Sequence, residues 1–284
     1  MGISLQKVNY SYYKSKKNTK YALKDINLEI NSKDEFIALI GHTGSGKSTL
    51  STIFNALKIP TSGDATIFSI KLRERRRRKD KYNTIRGHVG LVFQFPDYQL
   101  FEETVIKDVM FGPKNFGHKK DALELATKAL ELVNFPKEKY ESSPFTLSGG
   151  EKKMVSIAGI LASDPDIIVL DEPTAGLDPK SRESVLKLLT TLNDVYHKSI
   201  VIITHDMNVV YRYTKRVIVM NKGEIVIDTT PRDLFINNRK LVDSSHLDYP
   251  DTIRLSYYLN DKLGMNLKEF GYTLDDLMEE ILHA

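Results

Sequence analysis

The sequence predicts an α/β protein with a parallel sheet core, an N-terminal antiparallel β layer, a helical subdomain and a small helical C-terminal domain. From residue 36 onward, short and continuously apolar runs alternate with helical stretches, a pattern typical of parallel strands covered on both faces. The first forty residues instead alternate apolar and polar side chains, as a half-exposed antiparallel layer does. Beyond Pro231 the composition becomes more polar and helical, so we divide the chain into residues 1–230 and 231–284.

The apolar runs and their periodicity define the individual elements. The expected parallel strands are 36–40, 89–93, 166–170 and 199–203, and a hairpin of 216–220 and 224–228 follows them. The helical subdomain is expected at about residues 96–162, with helices at 121–133 and 151–162. The C-terminal region is expected to hold helices at 251–263 and 273–282, the second starting from a capping pair of Thr273 and Asp276.

The amino-acid composition excludes several kinds of chemistry and disfavours some locations. The 284 residues include no cysteine, which excludes disulfides, thiolate metal sites and cysteine nucleophiles. The apolar runs are strand-sized, well below the roughly 18 residues of a membrane span, and the start lacks a signal peptide's apolar core. We therefore expect a cytoplasmic protein whose membrane role, if any, comes through a partner. The net charge of +4 is mild and no nucleic acid is expected, although the basic run 73–79 could be a solvated face or an attractor of anionic lipid or RNA.

A glycine-rich loop follows the first predicted parallel strand. Residues 41–48 read Gly-His-Thr-Gly-Ser-Gly-Lys-Ser, the Walker A pattern, and a helix-like segment comes next. The glycines let backbone N–H groups turn toward phosphates, Lys47 can reach the β- and γ-phosphates, and Ser48 can ligate Mg²⁺. A simple glycine turn is the structural alternative. The strand before the loop and the helix after it favour a site for a nucleoside triphosphate with Mg²⁺.

Two carboxylates, Asp171 and Glu172, end the strand expected at 166–170. Ligand sites in parallel sheets lie beyond the carboxyl ends of the strands, which is the edge where the glycine-rich loop starts. We expect Asp171 to hold Mg²⁺ through water, as the Walker B carboxylate does, and Glu172 to polarise the attacking water as a general base. Taken alone, such a pair would more commonly be a helix cap.

His205 and Gln94 follow two further strands and should reach the same edge of the sheet. The imidazole of His205 could contact the γ-phosphate and position the water, and the amide of Gln94 could approach Mg²⁺ or the water. Outside this context, either residue would ordinarily be a surface or packing residue. Their positions beside the phosphate loop make them candidates for the hydrolytic site.

The segment Leu147–Glu151 introduces a predicted helix with Ser148 as its N-cap and two glycines that expose backbone N–H groups. This is a second anion-binding helix start. The loop at 41–48 already wraps one phosphate tail, so we expect this helix to cover a nucleotide held by another subunit. The pattern therefore predicts a dimer with nucleotides at its interface.

Together these motifs resemble the ATP-binding-cassette ATPases over about residues 3–230. The resemblance implies that Gln94 is the glutamine loop, Leu147–Glu151 the signature, residues 175–178 the D-loop and His205 the switch histidine. It implies that Tyr12, flanked by Tyr10 and Tyr13, stacks on adenine. Glu151 departs from the family's signature pattern, because many members have glutamine at that position.

The resemblance implies three sets of site residues. The nucleotide contacts are Tyr12, Gly41, His42, Thr43, Gly44, Ser45, Gly46, Lys47, Ser48, Thr49, Ser148, Gly149, Gly150 and Glu151. The metal contacts are Ser48, Gln94 and Asp171, and the catalytic residues are Glu172, His205 and Gln94.

A finer resemblance lies in residues 93–105 and 111–117, which look like the ATPases of energy-coupling factor transporters, and specifically the second of their two paired ATPases. This implies an ATP-hydrolysing subunit that powers uptake of vitamins or other micronutrients from the cytoplasmic face of the cell membrane. The implied partners are a homologous ATPase, in a heterodimer or a homodimer in isolation, a transmembrane scaffold and membrane substrate-binding proteins. The acidic and aromatic segment 94–103 is suited to a basic coupling helix of the scaffold, although it could be an ordinary surface loop.

Three other functions remain open from the sequence. They are an ATPase of another membrane transporter, a soluble cassette protein acting on ribosomes or DNA, and a regulatory subunit that binds ATP without hydrolysing it. The chain shows neither a second cassette nor a long coiled coil, which disfavours the soluble protein. Intact Glu172 and His205 disfavour the non-hydrolysing subunit.

Overall fold

A computed structural model describes residues 2–12, 20–72, 82–267 and 273–283. The basic run 73–79 and Tyr13 lie outside the described residues. The strands are β1 (Ile3–Ser11), β2 (Tyr21–Ile30), β3 (Phe36–Ile40), β4 (Ser62–Ile67), β5 (Ile70–Lys71), β6 (Val89–Val92), β7 (Ile167–Asp171), β8 (Ser199–Ile203), β9 (Arg216–Asn221) and β10 (Glu224–Thr229). They form a six-stranded and a four-stranded sheet.

The six-stranded sheet is the predicted parallel core. Its order is β10-β9-β3-β8-β7-β6, and only the edge strand β10 runs antiparallel to its neighbour. The four predicted strands are confirmed, with ends that differ by at most one residue. The predicted hairpin is also confirmed, and it extends this sheet because β9 pairs in parallel with β3. The carboxyl ends of β3, β6, β7 and β8 therefore lie on one edge.

The four-stranded sheet is the predicted antiparallel layer, with the order β2-β1-β4-β5. The pairing of β1 with β2 confirms the prediction, whereas β4 and β5 were not predicted. The first half of β4 is exposed, and Gly63 lies so close to β1 that a Cβ there would fall 2.1 Å from the Lys7 carbonyl oxygen. The strand therefore depends on its partner β1 for its formation.

The helices are α1 (Lys47–Phe54), α2 (Tyr82–His88), α3 (Val105–Asn115), α4 (Ala122–Leu132), α5 (Gly149–Leu161), α6 (Pro179–Asp194), α7 (Met207–Tyr213), α8 (Arg239–Ser244), α9 (Asp251–Leu263) and α10 (Leu274–His283). The helix-like segment after the glycine-rich loop corresponds to α1, and the four other predicted helices correspond to α4, α5, α9 and α10. Thr273 and Asp276 exchange backbone N–H to side-chain hydrogen bonds, so the predicted capping pair of α10 is confirmed. Sequence reasoning did not assign α2, α3, α6, α7 or α8 as helices.

The parallel sheet separates two apolar clusters. Along β3, Ile37 and Leu39 pack into the cluster shared with the antiparallel layer, whereas Phe36, Ala38 and Ile40 pack against the helices. This alternation follows from the two-residue side-chain period of a strand. With both faces of the sheet covered, its carboxyl edge remains available for polar side chains.

Candidate nucleotide-binding site

The glycine-rich loop joins the end of β3 to the start of α1. Gly41, Gly44 and Gly46 have φ angles of 142°, 80° and 110°, in the region that only glycine adopts without strain. A Cβ on Gly41 would lie 2.1 Å from the Met220 carbonyl oxygen, so the loop also needs glycine for its close approach to β9. The Gly223 N–H donates to the Ser45 carbonyl oxygen at 2.9 Å, which ties the loop to the β9–β10 turn. These contacts hold the loop on the sheet.

The Lys47 ammonium lies against the start of this loop. Its Nζ donates to the carbonyl oxygens of Gly41 at 2.6 Å and His42 at 3.1 Å. Burial lowers the pKa of Lys47, while the negative charges of Asp171 and Glu172 oppose that change. Gly46 caps α1 without a side-chain hydrogen bond, so the N-terminal N–H groups of the helix can receive an anion.

Ser48 and Asp171 meet between α1 and β7. The Ser48 Oγ donates to Asp171 Oδ2 at 3.0 Å. Burial raises the pKa of Asp171, whereas the Ser48 hydrogen bond and the charges of Lys47 and Lys153 act in the opposite direction. A half-buried carboxylate beside a hydroxyl is a pair of hard oxygen donors.

Glu172 follows Asp171 at the end of β7 and contacts His205. Its backbone φ of 46° lies in the left-handed region, which is uncommon for a side chain larger than glycine. The Glu172 N–H donates to the Ile203 carbonyl oxygen at 2.9 Å, and the His205 Nδ1 donates to Glu172 Oε1 at 2.9 Å. The side chain of Glu172 is 14% exposed and that of His205 82%. The predicted grouping of these two residues with Asp171 is therefore present at the sheet edge.

Gln94 follows β6 at the same edge, but it is linked to the site through its backbone. Its carbonyl oxygen accepts a 2.8 Å hydrogen bond from Nζ of Lys153, and the side chain is exposed. Among the residues that the structure describes, the Gln94 amide makes no hydrogen bond. Sequence reasoning missed Lys153, a buried lysine in α5 whose charge acts on Asp171 and Glu172.

Tyr12 lies next to the phosphate loop. Its hydroxyl shares a 2.9 Å hydrogen bond with Thr49 Oγ1, and the side chain is 55% exposed. The ring of Tyr10 packs edge-on against it at 5.1 Å, and Lys58 Nζ lies 5.3 Å from its centroid. An exposed ring fixed beside the first turn of α1 can stack on a base whose phosphates occupy the loop.

The signature segment forms the start of α5. Ser148 and Glu151 exchange both hydrogen bonds of a capping box, which confirms Ser148 as the N-cap. Ser148–Glu151 line a cleft of about 650 Å³ together with Gly176 and Asp178 of the D-loop and Ser181 of α6. Residues 41–48, all of which the structure describes, do not line it. The cleft at the signature and the phosphate loop of one chain are thus formed by different residues.

Three features meet at one edge of the parallel sheet. They are the glycine-rich loop at the free N-terminus of α1, the Ser48–Asp171 pair, and the Glu172 carboxylate with its hydrogen bond to His205. These features, together with the signature helix, define an ATP-binding cassette.

Comparisons with known proteins agree with this class. The sequence profile of the ABC transporter family matches residues 23–175. An energy-coupling factor transporter ATP-binding protein EcfA2 of Ligilactobacillus salivarius is 43% identical over 99% of this chain and 97% of its own length. A protein of the same name from Staphylococcus aureus is 42% identical over 96% of this chain and 95% of its own length.

Solved structures extend the likeness to the fold. CbiO1 of Clostridium perfringens, described as part of the ABC transporter complex CbiONQ, is 33% identical with a TM-score of 0.72, covering 90% of this chain and 98% of that one. A dimeric ATP-binding cassette in a post-hydrolysis state with ADP and Pi has the same identity and TM-score, covering 81% of this chain and 99% of that one. The chain therefore belongs to the ABC transporter ATPases, and within them to the ATP-binding proteins of energy-coupling factor transporters.

Proposed function

We propose that this chain is one of two ATPases that power an energy-coupling factor transporter importing vitamins or other micronutrients. The observation that supports this most directly is the likeness to the energy-coupling factor relatives over almost the whole chain, including the region after residue 230. No helix among the described residues is long and apolar enough to cross a membrane. In this proposal the chain acts at the cytoplasmic face through membrane partners.

The residues at the sheet edge fit Mg²⁺ as the second ligand beside ATP. Mg²⁺ at nucleotide sites is usually held by one or two carboxylates together with phosphates and waters, and the 3.0 Å Ser48–Asp171 pair supplies such donors. The described residues contain no group of three or more histidine, cysteine or acid side chains suited to holding a metal on their own. When bound, Mg²⁺ would neutralise charge on the β- and γ-phosphates.

In the proposed mechanism the loop at 41–48 and Lys47 hold the phosphates while Tyr12 stacks on adenine. The water attacks the γ-phosphorus and gives a proton to Glu172, while the bond to the β–γ bridging oxygen breaks and ADP leaves. His205 keeps the Glu172 carboxylate oriented by its 2.9 Å hydrogen bond. The side-chain amide of Gln94, which follows β6, would interact with Mg²⁺ and the water. ATP binding closes a dimer and hydrolysis reopens it, so that a membrane partner receives the motion.

The signature is proposed to act on the partner's nucleotide, and Glu151 must then lie near a polyphosphate without repelling it. The structure offers a compensating charge that sequence reasoning missed. The Lys139 ammonium binds Glu151 Oε1, and Glu151 Oε2 accepts from Ser148 N at 3.0 Å. The Lys139 contact and the Ser148 hydrogen bonds hold the pKa of Glu151 below its usual value. The carboxylate of Glu151 therefore stays ionised, and the ammonium of Lys139 balances its negative charge.

We expect Lys139→Ala to lower ATP turnover by about 3- to 10-fold, on the order of 1 kcal/mol, because it leaves the Glu151 carboxylate uncompensated near the partner's nucleotide. Adding Glu151→Gln should restore turnover, because the amide keeps the cap and removes the charge. Steady-state ATPase rates of the assembled complex measure both effects. A double variant no faster than Lys139→Ala would contradict the compensation.

The segment 94–103 is proposed to receive the coupling helix of the scaffold. Phe95, Tyr98 and Phe101 are exposed, with Tyr98 at 81%. The segment has three acids, Asp97, Glu102 and Glu103. Asp97 pairs with Lys152 at 2.7 Å and Glu103 with Lys107 at 2.7 Å, so two of the three are already partly neutralised within the chain. The surface is therefore more aromatic and less acidic than the sequence suggested, and we expect apolar contacts to dominate its docking.

The C-terminal region 231–284 is proposed to take part in dimerisation. In α10, Leu274, Met278 and Leu282 are spaced four residues apart, which sets them on one face of the helix, and all three are exposed. Leu277, which is three residues after Leu274 and borders this face, is buried. An exposed apolar stripe of this kind fits a second ATPase, either homologous or identical.

Purification of the tagged chain from membranes tests the assignment. We expect it to bring down a second Walker A-containing ATPase and a polytopic membrane protein, both identified by mass spectrometry. The variant Tyr98→Ala/Phe101→Ala should lose the polytopic protein and keep the ATPase. Tyr196→Ala, which removes an exposed aromatic ring outside the 94–103 segment, is the control and should keep both. Recovery of ribosomes or DNA in place of membrane proteins would refute the proposed function.

A further inference from the structure

Lys153 is a buried charge beside the backbone of Phe93 and Gln94. It lies in the second turn of α5 and is only 2% exposed. Its Nζ donates to the carbonyl oxygens of Gln94 at 2.8 Å and Phe93 at 3.3 Å. Burying an ammonium costs several kcal/mol unless charges and hydrogen bonds compensate it. Because packing alone would not offset this cost, we expect the charge of Lys153 to have a specific role.

The compensating charges are the two carboxylates at the end of β7. Burial lowers the pKa of Lys153, whereas the charges of Asp171 and Glu172 act to raise it. In turn, the Lys153 charge helps to keep Asp171 ionised. The charges of Lys47 on α1 and Lys153 on α5 both act to lower the pKa of Asp171. Each helix thus contributes one cation that interacts with the two acids, Asp171 and Glu172.

Besides Lys153, two side chains of α5 contact the segment after β6, one through an ion pair and one through a hydrogen bond. Lys152 pairs with Asp97 at 2.7 Å, and Ser156 Oγ donates to Gln99 Oε1 at 2.8 Å. These contacts involve side chains of the segment and lie farther along it. Lys153 alone among the three binds the backbone of Gln94 and is electrostatically coupled to the acids.

We propose that Lys153 is a positioning residue whose ammonium sets the Gln94 backbone against the Asp171–Glu172 pair and thereby links the signature helix to the hydrolytic site of the same chain. This rests on the proposed function, in which Gly149 and Gly150 contact the partner's nucleotide. Lys153 follows those glycines by one helical turn. A shift of α5 on contact with the partner's nucleotide is then passed to Gln94, and one site influences hydrolysis at the other.

The test compares Lys153→Met, Lys153→Gln and the neighbouring control Lys152→Met in the full chain assembled with its partner subunits. Lys153→Met keeps the volume and removes the cation. We expect its kcat to fall at least about tenfold, because small displacements of positioning groups are costly, while the KM for ATP and the Kd for a fluorescent ATP analogue stay within about twofold. Lys153→Gln retains a donor without the charge and should lose several-fold in kcat. Lys152→Met should keep a kcat within about twofold of the wild type.

A wild-type kcat in Lys153→Met overturns the proposal, as does a parallel loss of ATP affinity or an equal loss in Lys152→Met. If the methionine variant fails to fold by its thermal melt, Lys153→Gln decides, and a wild-type kcat there overturns the proposal. Absence of hydrolysis in the wild-type complex would instead refute the proposed function. The two failures are therefore distinguishable.

Discussion

Replacing Glu172 by glutamine is expected to lower ATP turnover by about 10²- to 10⁴-fold, the range that a positioned general base contributes. Glutamine has almost the shape of glutamate, so its oxygen can still accept the 2.9 Å hydrogen bond from His205 Nδ1. It cannot accept a proton from water. Phosphate release in the assembled complex should therefore nearly stop.

ATP affinity should stay within about twofold of the wild type in Glu172→Gln, because Lys47 and Ser48 are untouched. The complex should then remain closed in the presence of ATP. Glu224→Gln, a change at an exposed pair with Lys24, is the control and should hydrolyse ATP normally. Unchanged hydrolysis in Glu172→Gln would remove Glu172 from the role of general base.

The sheet edge could be predicted because each of its residues follows a strand that is recognisable by its apolar run. Parallel strands bring their carboxyl ends together, so Lys47, Asp171, Glu172 and His205 were expected to meet without any knowledge of strand order. The observed contacts of Ser48 with Asp171 and of Glu172 with His205 agree with that expectation. Their catalytic roles remain predictions, which the variants described above test.

Residues that act through tertiary contacts were missed. Lys153 lies four residues before the buried Ile157 in α5, so its position on the apolar face was a signal, but its targets are backbone carbonyls that no sequence pattern marks. Lys139 lies in a short turn, and only the folded chain brings it to Glu151. The strand β4 likewise forms because β1 supplies its hydrogen bonds. Long-range pairing of this kind overrides local pattern.

Lys47→Met is expected to weaken ATP binding by roughly 10- to 100-fold, because a hydrogen bond to a charged group contributes about 1.5–3 kcal/mol. The ammonium donates to the Gly41 and His42 carbonyl oxygens at the start of the loop, where the phosphates are expected to bind. Methionine fills the same space, so the fold should persist and the thermal melt should change little. Titration with a fluorescent ATP analogue measures the loss, and Lys128→Met, which removes a cation from an exposed pair with Glu124 in α4, is the control. Because Lys47→Met acts on binding and Glu172→Gln on turnover, the two variants separate the halves of the site, and normal affinity in Lys47→Met would exclude that residue from phosphate binding.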